Sequence, residues 1–228
     1  MDLIKEALAR GQSALSEYDA KRFLSSFGIP VVHEAIAPDA DSAAAEAIKI
    51  GFPVVLKVSG ERLLHKTEVG GIALDLRNED EVRSESARLL KIPGCEGLLV
   101  QELVKGVREL ACGLTRDSEF GPCVMFGLGG ILTEVLEDVV FRIAPLTAWD
   151  AQEMIEEIRS KKIVEPFRGE AGVDRDALTH ILVVLGEIGL QREDVREIDV
   201  NPLKIRSDGK PVSVDALVGL ETGGGSPN

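Results

Sequence analysis

Apolar positions along this chain recur with two periods, and the switches between them outline its elements. Leu178, Ile181, Leu182, Leu185 and Ile188 repeat at three and four, so they share one helical face, and Gly189 is expected to close that helix. A short helix over 3–10 ends at Gly11. A second follows Ser16, with Asp19 as its capping partner, and stops at Gly28 before Pro30. Residues 31–36 read as a strand, and alanine-rich 41–50 as a helix closed by Gly51. Strands are expected over 53–58 and Ile72–Leu76, with a loop between them, and Asn78 with Glu81 caps a helix over 79–90. Further strands fall over Gly97–Leu103, 108–116, Cys123–Phe126 and Val139–Ala144, with Gly127, Gly129 and Gly130 as a flexible corner. Thr147 and Asp150 start a helix that runs to about 159. The last unit is a hairpin of Val195–Leu203 and Val212–Val218 around a turn at Ser207–Lys210.

Strands and helices mix without strict βαβ alternation, which predicts an α+β fold rather than a doubly wound sheet. The expected organisation is an N-terminal arm over 1–15, one subdomain over 16–96, a second over 97–220, and a disordered tail over 221–228.

Composition narrows the function classes. The 228 residues carry a net charge of −13, which disfavours nucleic acid and acidic membranes as partners. Cys95, Cys112 and Cys123 form no CxxC pair, so neither a zinc site nor a disulfide framework is expected. The opening MDLIKEALARG lacks an apolar signal core, and no run of about 18 apolar residues occurs. These features read as a cytoplasmic protein without a membrane anchor.

Four segments suggest chemistry. In the stretch from Arg196 to Asn201, Glu197, Asp199 and Asn201 share one strand face, while Ile198 and Val200 share the other. A three-residue loop with Gly209 in the left-handed conformation sets position 201 opposite 215, where Asn201 and Asp215 can offer oxygens to one hard cation. A two-residue Asp208-Gly209 turn pairs 201 with 216 instead and turns Asp215 away, leaving a hairpin of solvated acids. Lys57 interrupts an apolar strand: it either meets an anion such as a phosphate or points outward from an edge. The loop from Gly60 to Gly71 ends in two glycines that let backbone N–H groups approach phosphates, and it carries His65, either a nucleophile toward phosphorus or an idle surface histidine. It lacks the GxxxxGK[ST] spacing of a Walker A loop. Last, Glu102 to Glu109 spans a strand exit whose backbone suits a base and whose Glu109 carboxylate suits ribose hydroxyls, though an ordinary charged connection explains it equally well.

Taken in order, these segments resemble the ATP-grasp β subunit of an NDP-forming acyl-CoA synthetase, of the ADP-forming acetate–CoA ligase type and related to the succinyl-CoA synthetase β chain. The resemblance covers roughly residues 10–220. It rests on PVVLKV (53–58), LHKTEVGG (64–71), VQELV (100–104) with Gly106 and Glu109, FGLGGI (126–131) with Glu134, FRIAPL (141–146), and EIDVNPL (197–203) with Asp215.

It implies an ATP-grasp fold of two α+β subdomains, with ATP or ADP in the cleft between them and Mg2+ as cofactor. Lys57 would hold phosphates, and Gly70 and Gly71 would lie in a flap over them. Glu102 to Val104 would form the adenine hinge, and Glu109 would bind ribose. Asn201 and Asp215 would ligate the metal. His65 would take the phosphoryl group, with Asp199 beside the metal pair counted with it as catalytic. The implied reaction is acyl-CoA + ADP + phosphate ⇌ acid + CoA + ATP. It requires a CoA-binding α subunit with a second phosphohistidine, in an α2β2 assembly. Subunits of the same family acting on succinate, a branched-chain acid or an aryl acetate, and a non-catalytic nucleotide-sensing module, are the alternatives.

Overall fold

The computed structural model describes residues 2–60, 69–130, 136–167 and 169–222. The elements divide between two compact units, one of Val32–Val104 and one of residues 1–31 with 105–228.

The middle unit is a four-stranded antiparallel sheet, β1 (Glu34–Ala37), β2 (Val54–Ser59), β3 (Ile72–Leu76) and β4 (Gly97–Glu102), in the order β1-β4-β2-β3. Helices α3 (Ala40–Ile50) and α4 (Glu79–Leu89) pack on one face. Asp39 and Asn78 cap them by accepting the N–H groups of Ser42 and Glu81. Alternation along β2 sends Val54, Leu56 and Val58 into the core with the alanines of α3, and sends Val55 and Lys57 to the opposite face.

The second unit is built on a six-stranded antiparallel sheet. Its strands are β5 (Glu109–Asp117), β6 (Gly121–Leu128), β7 (Val139–Ile143), β8 (Val195–Ile205), β9 (Pro211–Ser213) and β10 (Leu217–Leu220). Their order is β10-β8-β5-β6-β7, with β9 also paired to β8. Residues of α1 (Leu3–Ala9), α2 (Glu17–Ser26), α5 (Ala148–Glu157) and α6 (Arg175–Gln191) share one apolar core with Leu110, Phe126, Ile198 and Val200 of this sheet.

Four expectations need correction. The boundary expected at 96/97 lies at 104/105, because β4 pairs with β1 and β2 and not with the strands that follow it. Residues 2–31 are neither an arm nor part of the first subdomain. Ala14 bridges Gly219, Val31 bridges Ser213, and Leu15 N–H donates to Val218 O at 2.9 Å, so they belong to the C-terminal unit. That is why β1 begins at Glu34 and not at 31. Gly189 does not close α6. The helix runs on to Gln191, and a Cβ on Gly189 would come within 2.7 Å of Pro122 Cβ, so this glycine permits close packing on the sheet. The C-terminal end of α6 is gathered instead by Arg116, whose guanidinium donates to the carbonyls of Gly189, Arg192 and Val195. Finally, Gly127 is no corner but a residue of β6, opposite Ala111 on one side and Val139 on the other.

The tail from 223 to 228 lies outside the described residues. No helix among the described residues is long and apolar enough to cross a membrane.

Candidate functional site

In the middle unit, Lys57 stands on β2, flanked by β4 and β3 with Leu99 and Ile72 as its cross-strand neighbours. It is 5% exposed, which excludes the outward-pointing edge position. Gly70 and Gly71 lead into β3. The Gly70 carbonyl accepts from Arg88 Nη1 and the Gly71 carbonyl from Val58 N–H, so α4 and β2 both fix the end of the loop. His65 lies outside the described residues, as do Leu64 to Glu68 of the same motif and Glu134.

Glu102 exchanges two hydrogen bonds with His33: its carboxylate accepts from His33 N–H, and its own N–H donates to His33 O, both at 2.9 Å. Leu103 N–H donates to Pro53 O. Val104 follows, buried, with its main chain in no hydrogen bond among the described residues. Of the three expected hinge residues, Val104 therefore has backbone groups to offer a ligand.

In the second unit, the hairpin register meets the condition set by the turn. Leu203 pairs with Ser213, Lys204 with Val212 and Ile205 with Pro211, and Val214 N–H donates to Pro202 O. Continued by one step, this register sets Asn201 opposite Asp215. Gly209 adopts φ +88°, the left-handed conformation that the three-residue loop requires, and a side chain there would strike Gly172 O. The same register resumes beyond the pair, with Asp199 opposite Leu217.

Two further contacts complete this cluster. Asn201 Oδ1 accepts from Gly130 N–H at 2.9 Å, which fixes which end of the amide is oxygen and leaves a second lone pair for a cation. Gly130 in turn lies so close to Glu109 that an added Cβ would fall 2.0 Å from Glu109 Oε2. Glu109 pairs with Lys204 at 3.1 Å across β5 and β8. Glu109, Gly130, Asn201 and Lys204 thus form one connected group, with Asp215 and Asp199 next to it on the hairpin. The sequence offered no sign of Lys204, and Gly130 was visible only as a corner glycine and as part of the FGLGGI run, with no role attached.

The electrostatics of the cluster favour a cation. Asp199 keeps an open surface, yet the protein around it withholds bulk solvent, and Asp215 and Glu197 add like charge. Together they push its carboxyl up to about 6. The same carboxylate, after burial itself, raises the Cys112 thiol on the neighbouring strand. Among the described residues no group of three or more His, Cys, Asp or Glu side chains is placed to hold a metal alone. The donor set is one amide oxygen and neighbouring carboxylates. That suits Mg2+, which is commonly held by one or two carboxylates together with substrate phosphates and water.

The model of the ATP-grasp domain matches residues 6–220. The β subunit of acetate–CoA ligase (ADP-forming) I from Pyrococcus furiosus is 38% identical over 94% of this chain and 95% of its own length. The chain belongs to the ATP-grasp β subunits of the ADP-forming acetate–CoA ligases. A second Pyrococcus furiosus β subunit of the family, that of ligase II, is 36% identical over 97% of this chain and 98% of its own. Among solved structures, the dinucleotide-forming acetyl-coenzyme A synthetase 1 of Candidatus Korarchaeum cryptofilum, in complex with coenzyme A, Ca-AMPCP and HgCl+, superposes with a TM-score of 0.91. The two are 41% identical over 96% of this chain and 99% of that one. The same synthetase with coenzyme A and Mg-AMPPCP, its phosphohistidine segment pointing towards the nucleotide-binding site, gives a TM-score of 0.87. The two α+β units of this ATP-grasp subunit are therefore the expected fold, with its internal boundary corrected.

Proposed function

We propose that this chain is the nucleotide-binding β subunit of an ADP-forming acyl-CoA synthetase, moving a phosphoryl group between ADP or ATP and histidine while an α subunit handles CoA and the acid. The observation that carries this reading is the hairpin register that brings Asn201 and Asp215 together beside Asp199, in a chain similar over nearly its whole length to acetate–CoA ligase β subunits. Acetate is the acid named for several relatives. Others are a 4-hydroxybutyrate–CoA ligase and a trans-feruloyl-CoA synthase, at 33% and 34% identity, which supports a choice of acid made outside this chain. In acetate–CoA ligase II of Archaeoglobus fulgidus the matching region is 30% of a longer polypeptide, which supports a reading in which CoA and the acid are handled outside the ATP-grasp region, by an α partner in an α2β2 enzyme.

In this reading Lys57 neutralises phosphate charge from a water-poor strand, where its attraction is weakly screened. Gly70 and Gly71 bring backbone against the phosphates, Val104 offers its main chain to the adenine, with Glu102 bracing the hinge against His33, and Glu109 accepts ribose hydroxyls. Asn201 and Asp215 would hold Mg2+, which when bound would neutralise phosphate charge. Asp199, crowded by like charge, adds to the field that draws the metal in. His65 receives the γ-phosphoryl: its imidazole nitrogen forms the P–N bond as the bond to ADP breaks. The partner's phosphohistidine then takes the group as the His65 P–N bond breaks and passes it to the acid's carboxylate, from which the CoA thiol displaces inorganic phosphate. A cytoplasmic place fits three unpaired thiols.

The test is transfer of label. Incubated with the α partner, Mg2+ and ATP labelled at the γ-phosphate, the chain should acquire acid-labile, base-stable phosphate, and His65→Ala should abolish it on this subunit. Equal labelling of wild type and variant overturns the nucleophile assignment.

A further inference from the structure

Lys21 is fully buried on α2, and no part of the phosphoryl-transfer reading uses it. Its ammonium reaches Glu17 Oε1, one helical turn back, at 2.8 Å, and Val214 O at 3.2 Å, across 193 positions of sequence. A buried Lys–Glu pair contributes little to stability beyond what aliphatic side chains of the same size would give, so its presence calls for something that it holds.

What it holds is the residue before Asp215. The ladder with β8 lapses between Ser213, where β9 ends, and Leu217, where β10 begins; Val214 N–H to Pro202 O is its last bond before the gap. Asp215 therefore sits where the regular ladder is interrupted. Among the described residues, two side chains hold the peptide planes on either side of it. Lys21 grips the carbonyl of Val214, which belongs to the peptide plane preceding the Asp215 Cα. Ser213 Oγ donates to Asp215 O at 3.3 Å, which belongs to the plane that follows. Fixing both planes fixes φ and ψ at Asp215, and so the direction in which its Cβ leaves the chain toward Asn201. Ser213 is itself buried, and its N–H donates to Pro30 O, just beyond α2.

We infer that Lys21, with Ser213, is a positioning residue for the divalent-metal arm: it aims the Asp215 carboxylate from α2 and touches neither metal nor nucleotide. The inference rests on the reading of Asp215 as a metal ligand, and the experiment separates the two.

The full chain is titrated with Mg2+ in the presence of a fluorescent ATP analogue, and analogue binding is also measured without metal. Lys21→Met should raise the Mg2+ midpoint by about tenfold, the scale of losing one charge-assisted hydrogen bond. It should leave metal-free nucleotide affinity unchanged, and should speed amide hydrogen exchange at Asp215 and Ala216 in protein free of metal and nucleotide. Ser213→Ala should shift the midpoint in the same direction by less, and it decides the matter if Lys21→Met does not yield folded protein. A lowered melting temperature with an unchanged Mg2+ midpoint in a folded variant overturns the positioning role. Asp215→Asn is the control. If it shifts the midpoint while the other two do not, only the positioning role fails. If Asp215→Asn itself leaves the midpoint unchanged, the metal reading fails, and this inference with it.

Discussion

Asp138 and Asp199 are carboxylates of one unit held in opposite ways. Burial is the strongest single influence on Asp138 and works against its charge. Hydrogen bonds from Ser160 and Arg159 and the nearby Arg159 guanidinium together outweigh it, holding the carboxyl below its ordinary value. A carboxyl whose folded pKa is depressed stabilises the fold above its unfolded value, near 3.8, and that contribution is lost as pH falls through the folded value. Asp138→Asn should therefore cost about 2 kcal/mol at neutral pH. In urea denaturation followed from pH 7 downward, the gap between wild type and variant should narrow only below about pH 4. A gap of constant size would mean that the charge does not contribute. Asp199 has no such donors among the described residues and is raised by desolvation and like charge. At this scale the sequence was legible where periodicity alone decided: the acidic face of Glu197, Asp199 and Asn201 follows from counting by two. The partnership of Asn201 with Asp215 was not, because it hangs on one torsion at Gly209. Lys57 was half legible, since its pattern was plain but the strand order that makes β2 interior lay in contacts far along the chain.

Element identities followed from the hydrophobic pattern, and the caps at Ser16, Asn78 and Thr147 fall as expected. Errors gathered at glycines. A glycine near the end of an apolar run reads as a stop, but Gly189 and Gly127 sit inside their elements where neighbours come too close for a Cβ. Gly189→Ala tests this directly. In an isolated helix alanine would gain up to about 1 kcal/mol. Here the new methyl meets the rigid Pro122 ring, and overpacking of this kind costs about 1–3 kcal/mol. A net fall in thermal midpoint is expected, and a rise would show that α6 has slack against the sheet. The actual terminator, Arg116, lies far from α6 in sequence, so no local signal could have revealed it.

At the scale of the whole molecule, the proposed division of labour has a plain consequence: the isolated chain should bind nucleotide with Mg2+ yet show no acyl-CoA synthetase turnover until the α partner is added. Robust turnover by the chain alone, in a coupled assay of CoA release, would overturn that division of labour. The α+β character and the family were legible from the order of short motifs. The unit boundaries were not. The amphipathic pattern of residues 3–26 says that these helices need a core, but not which of two cores receives them.

That assignment also orders events in time. The stretch before Val32 docks on strands synthesised much later, through Ala14 with Gly219 and Val31 with Ser213. On a ribosome adding about 5–20 residues per second, it must wait on the order of ten seconds or more for its seat to be made. Val32–Val104 can meanwhile close its own sheet, since every strand it pairs is already synthesised. Folding would thus begin within Val32–Val104, with the residues just before it waiting on partners made much later.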